Sequence, residues 1–150
     1  MVAVPAVLLA CAYGAEHIGG LPPCEMCWWQ RWAHMAALAF GLASLLPLAD
    51  RGRSMVWLAA LAMMASGLIG AWHAGIEAGL VEGFTQCSTT PSAENADDLL
   101  NQIMAAPIVR CDQAPWSFLG ISMAGWNALL SIAAAVAALW LALRRRNRAQ

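Results

Sequence analysis

The 150-residue chain contains no lysine, a single tyrosine and few charges of either sign. Charged residues make up 11% of it, against about 25% in soluble domains. Apolar residues reach 61%, too many for a core of this size to bury, so lipid is the expected solvent. No basic face coincides with a soluble module, which argues against nucleic-acid binding. No second close pair of cysteines follows Cys24 and Cys27, which argues against a four-cysteine zinc site. No Lys or Arg precedes Arg31. The basic leader of a secretory signal is therefore missing, and the first apolar stretch is read as a retained span even though Ala10-Cys11-Ala12 offers small residues for cleavage. Cys11 is then a small lipid-phase residue.

Against these absences stand four apolar stretches: Val2–Ile18, Trp28–Leu48, Met55–Ile76 and Gly120–Leu143. A bilayer-crossing helix needs about 20 such residues, so the expected fold is an all-α membrane four-helix bundle, one domain over residues 1–150. Arginines cluster at Arg51/Arg53 and at Arg144/Arg145/Arg146/Arg148. Basic residues favour the cytoplasmic side, which puts both termini inside and the connections 19–27 and 77–119 outside. Trp28, Trp29, Trp32, Trp72 and Trp116 then fall at the outer interface and Trp57 and Trp140 at the inner one. In the long acidic loop, Asp97-Asp98 begin a run whose Leu99, Leu100, Ile103 and Met104 share one face. That pattern predicts a short amphipathic helix closed by Pro107.

The four remaining cysteines, Cys24, Cys27, Cys87 and Cys111, all map to the outer side, where disulfides persist. Cys87 and Cys111 can be a passive staple or a redox pair. For Cys24 and Cys27 the local physics favours reactivity. Pro22-Pro23 lead into a helix start, where unpaired N–H groups favour a thiolate at Cys24. Helical spacing puts Cys24, Cys27 and Arg31 on one face with His34 a turn further. A charge such as Arg31 inside a span is a functional residue by default, although snorkelling to the interface would also account for it. A lipid-soluble quinone would be placed to take electrons from such a dithiol.

The segments "YGAEHIGGLPPC", "PCEMCWWQRW", "GAWHAGIEAGLVEGFTQC" and "RCDQAPWSFLGISMAGWNALLS" resemble, in order and spacing, the DsbB-type disulfide bond formation proteins of bacterial inner membranes. The resemblance implies a thiol:quinone oxidoreductase that reoxidises a periplasmic DsbA-type, thioredoxin-fold partner and draws on the membrane quinone pool, ubiquinone rather than menaquinone. By the same resemblance Cys87 exchanges with the partner's cysteine and Cys111 is its loop mate. Cys24 takes electrons from that pair and Cys27 faces the quinone. Arg31 matches the arginine of the quinone site, with His34 and His73 as further cofactor-binding candidates and Glu77 beside them. No metal is expected. The short first span and the acidic loop depart from the family pattern. Competing readings are a vitamin K epoxide reductase-like protein running toward reduction, and a membrane scaffold with two passive staples.

The topology has a direct check. In oriented inner-membrane vesicles an impermeant maleimide, after mild reduction, should label Cys24 and Cys87 from the same face. A cysteine placed at Ala149 should label only from the other.

Overall fold

The computed structural model describes residues 2–46, 49–82, 95, 97 and 109–148. Four helices run through them: α1 (Ala3–His17), α2 (Glu25–Ala43), α3 (Ala49–Glu77) and α4 (Met123–Arg148). The helical bundle expected from the apolar stretches is what forms. Two helices carry segments long and apolar enough to cross a membrane, Ser54–Glu77 and Met123–Arg144. With 15 residues, α1 is about 22 Å long at 1.5 Å per residue, short of a hydrocarbon core of about 30 Å. The call for an amphipathic helix over 97–107 lies almost wholly outside the described residues.

Helix ends differ from the apolar stretches for identifiable reasons. Pro22 and Pro23 cannot extend a helix into Cys24, which stays extended at φ −78° and ψ 174°. Its sulfur accepts the Cys27 N–H, so Cys24 is the N-cap of α2. At the other end Ser44 donates its hydroxyl to the Gly41 carbonyl at 2.6 Å, and α2 stops at Ala43, five residues before the apolar run does. Helix α3 begins at Ala49. The Asp50–Ser54 segment, expected as a loop, is therefore the first part of a helix.

A two-stranded hairpin precedes α4: β1 (Ser117–Phe118) pairs antiparallel with β2 (Ile121–Ser122). Leu119 and Gly120 form its turn with φ of 53° and 77°, both in the left-handed region that a tight hairpin needs. The Trp126 indole donates to the Phe118 carbonyl at 3.1 Å, and the Ser122 hydroxyl accepts the Gly125 N–H. These bonds hold the turn in place and cap the start of α4. No sequence period signals so short a pair of strands.

In the bundle, α3 packs against both α2 and α4, while α1 lies on α2 and touches α4 less extensively. The α3–α4 crossing depends on small residues, as close helix contact in lipid does. A Cβ on Gly67 would sit 2.6 Å from Ile132, and one on Gly70 would sit 3.0 Å from the Ala124 carbonyl and 2.9 Å from Asn127 Nδ2. Many large apolar side chains point outward, among them Leu61, Leu68, Leu129, Val136 and Leu141, which suits a lipid surface. A groove of about 610 Å³ along α3 and α4, between Ala71, Leu129, Val136 and Trp140, is also apolar. It lies away from the sulfurs and offers them no chemistry.

Gly70→Val should force α3 and α4 apart and destabilise the bundle by about 1–3 kcal/mol, the range for overpacking. The unfolding midpoint in mixed micelles measures it.

Candidate functional site

The end of the bundle that carries the α2 N-cap gathers most of the polar chemistry. Cys24, Met26 and Ile76 form a small buried cluster, and Cys27, Ile69, Val109 and Cys111 pack against it. Cys24 Sγ and Cys27 Sγ lie 2.8 Å apart. From α3, His73 brings Nε2 to 3.6 Å from the Cys24 sulfur. Cys111 completes the group: its sulfur, the Cys24 sulfur and a His73 ring nitrogen all lie within 4.8 Å of one another. Three cysteines from two distant parts of the chain thus share one buried spot. Cys87 lies outside the described residues.

Cys24 precedes the apolar span that begins at Trp28. Its thiol is pushed well above the ordinary cysteine value, first by the hydrogen bond to Cys27 and then by burial, while the Cys27 N–H acts the other way. The helix start therefore does not by itself make Cys24 the thiolate. With the sulfurs this close the two thiols titrate as a coupled pair. Farther out, Arg110 grips Asp112 through two N–H groups, which holds that exposed carboxyl below the usual range.

Arg31 is buried, and its surroundings explain how. It donates to the Glu16 carboxylate on α1 and to the Ala12 carbonyl at 3.1 Å. Its guanidinium lies 4.7 Å from the Tyr13 ring centroid and 5.1 Å from that of Trp28. It is not snorkelling, because its charge is neutralised inside the bundle. Cys27 and Arg31, four residues apart on α2, share a face as expected, and the Arg31 charge acts on Cys27, while Cys24 sits at the cap and turns to His73 on α3. The spacing rule assumed Cys24 to be helical, and its extended N-cap conformation removes that premise.

His34 also turns inward. Its Nε2 lies 2.7 Å from Asn127 Oδ1 and 2.9 Å from Ser66 Oγ. Asn127 reaches Gln30 Oε1 at 2.7 Å, and Gln30 Nε2 reaches His73 Nδ1 at 3.0 Å. This buried network of Gln30, Ser66, Asn127 and Ser131 escaped the sequence reading. The available signal was the presence of amides and hydroxyls within apolar runs, which lipid leaves unsatisfied unless they meet one another.

Cys24, His73 and Cys111 are close enough to share a cation, but the group behind His73 does not favour it. A histidine that ligates metal through Nε2 carries its proton on Nδ1 and donates it outward. Here the Gln30 amide nitrogen, a donor, faces Nδ1 at 3.0 Å.

An all-helical membrane protein with clustered cysteines at a helix cap and a histidine beside them has the parts of a disulfide-forming oxidoreductase. The family model for "Disulfide bond formation protein DsbB" matches residues 1–141. Disulfide bond formation protein B of Marinobacter nauticus is 32% identical over 152 residues, covering 95% of this chain and 88% of the relative. That of Azoarcus is also 32% identical, over 95% of this chain and 89% of the relative. Disulfide bond formation protein B 2 of Pseudomonas aeruginosa is 31% identical, over 94% and 86%. No solved structure matches. The chain belongs to the DsbB family of disulfide bond formation proteins.

Glu16→Ala should leave the Arg31 charge buried without its carboxylate and cost about 2 kcal/mol. Glu16→Asp should recover part of that loss. Denaturant unfolding of the two variants in micelles makes the comparison.

Proposed function

We propose that the chain oxidises the dithiol of a periplasmic thioredoxin-fold partner of the DsbA type and passes the electron pair to a membrane quinone. The observation that carries this reading is the contiguity of Cys111, Cys24 and Cys27. A disulfide can migrate by exchange only between sulfurs that touch, and these three pack in one cluster, Cys24 buried and Cys27 and Cys111 half-buried, with exposed Trp28, Trp29 and Trp32 following on α2.

The exchange conserves electrons at each step. A partner thiolate attacks Cys87 of a Cys87–Cys111 disulfide, forming an interchain disulfide and leaving the bonding pair on Cys111. The partner's second thiolate then attacks its own disulfide sulfur, releasing an oxidised partner and a reduced Cys87. Cys111 and Cys87 next reduce the Cys24–Cys27 disulfide by the same chemistry, and Cys27 is the sulfur that faces the quinone. In total two thiols become one disulfide, and two electrons and two protons move on. A quinone, when bound, supplies the acceptor for that pair.

The residues present suit such a headgroup. Arg31 commits two of its five N–H groups, to Glu16 and to the Ala12 carbonyl, and has further donors for a carbonyl oxygen. Glu77 Oε2 is buried with no hydrogen-bond partner among the described residues, while its other oxygen lies 3.6 Å from His73 Nε2. A headgroup hydroxyl would give Oε2 a donor. His73 and Arg31 would orient the headgroup, with His34 holding α2 to α3 and α4 behind them. The acceptor would be ubiquinone, the cysteines would lie on the periplasmic side of the inner membrane, and both termini would be cytoplasmic.

Purified protein given a reduced partner and quinone tests the scheme. Cys27→Ser should abolish quinone reduction, Cys87→Ser should block oxidation of the partner, and Arg31→Ala should raise the quinone KM about tenfold or more, the loss of one charged hydrogen bond. Normal turnover in either cysteine variant would sink the relay, and an unchanged KM would remove Arg31 from the site. Net flow from quinol to the oxidised partner would favour the reductive reading.

A further inference from the structure

We propose that Asn127 and Gln30 are positioning residues that lock His73 as its Nε2–H tautomer and aim that N–H at the Cys24 sulfur. The inference rests on the thiol chemistry of the preceding subsection, but neither quinone nor partner enters it.

The argument starts from two groups that can only accept. The Met26 carbonyl lies 3.2 Å from one end of the Gln30 amide, so that end is the NH2 group. The Ser66 carbonyl lies 3.3 Å from one end of the Asn127 amide, so that end is NH2 as well. With both amides oriented, every other proton follows. Asn127 Nδ2 donates to Gln30 Oε1 at 2.7 Å. Asn127 Oδ1 accepts from His34 Nε2 at 2.7 Å and from the Ser131 hydroxyl at 3.0 Å. The second hydrogen of Gln30 Nε2 points to His73 Nδ1 at 3.0 Å. That nitrogen must then present its lone pair, and the ring proton of neutral His73 resides on Nε2.

Nε2 lies 3.6 Å from Cys24 Sγ and 3.6 Å from Glu77 Oε1. The Cys111 backbone also bonds to the ring, and of these neighbours the Cys24 sulfur is the one whose charge changes during exchange, so the N–H is in place to serve it. When a disulfide to Cys24 is cleaved by attack on its other sulfur, the bonding pair stays on Cys24 and the attacking sulfur takes the new bond. No proton is consumed. A donor already in place stabilises the departing thiolate without having to reorganise. The other groups facing Cys24 are Cys27 on α2 and Cys111 from the segment before β1. Glu77 on α3 acts through His73, and Arg31 on α2 acts through its charge at Cys27. Asn127 sits on a different helix from all of them. It therefore links the packing of α4 to the reactivity of a sulfur it does not touch.

The test uses reduced full-length protein in micelles with histidine labelled in 15N, His73 being assigned by comparison with His17→Gln and His34→Gln. The wild-type ring should show a protonated Nε2 and a bare Nδ1. Asn127→Leu should admit the Nδ1–H tautomer. In a Cys27→Ser background, which removes the neighbouring thiol, it should also raise the pH midpoint for alkylation of Cys24, followed by mass spectrometry, by about one unit. Gln30→Met should do the same and serves if Asn127→Leu does not fold. A wild-type ring protonated at Nδ1, or an unmoved midpoint in a folded variant, overturns the proposal. Loss of quinone turnover with these readouts intact would instead tell against the function proposed above.

Discussion

Everything at the redox end of this protein depends on one constraint: polar groups placed inside an apolar bundle must satisfy one another. Gln30, His34, Ser66, His73, Asn127 and Ser131 come from three helices, and water is not available to them in lipid. Their hydrogen bonds run mainly among themselves, with two backbone carbonyls fixing the orientation of both amides; His34 Nδ1 is left without a partner among the described residues. Removing one member would leave the next unsatisfied, so the network acts as a single fastening between α2, α3 and α4. The close α3–α4 approach at Gly67 and Gly70 serves the same end, because Asn127 reaches Gln30 only if α4 lies almost against α3.

Two kinds of contact meet along α2. At its start Cys24 lies beside His73 of α3 and Cys111. One turn beyond Cys27, Arg31 is held by Glu16, the Ala12 carbonyl and two aromatic rings of α1 and α2. A guanidinium is costly to bury alone, and α1 supplies the compensation. The short first helix is thus a partner for the arginine as much as a span. The hairpin before α4 contributes in turn, since its bonded turn and the Ser122 cap fix where α4 starts and hence where Asn127 lies.

Much of this was legible in the order of residues. Four apolar runs gave four helices, and the Cys-x-x-Cys, its diproline lead and the Trp-Ser-Phe-Leu-Gly segment identified the family. Boundaries were less legible. An apolar run records what lipid tolerates, not where capping groups stop a helix, so α2 ended early at Ser44 and α3 began ahead of its apolar part. Cys24, Cys27, Cys111, Arg31, His34 and His73 were all picked out, yet Cys24 was placed inside the helix and not at its cap. Periodicity cannot tell that a cap residue has left the helix.

The sequence by itself determined the solvent, the helical class and the candidate cysteines, because composition and short-range spacing are local properties of a chain. Only the tertiary structure decided that Cys111 lies against Cys24, that Arg31 belongs with Glu16 and that Asn127 governs the amide behind His73. Those pairings join residues 15 to 97 positions apart, and their geometry arises from helix packing, which no local pattern encodes.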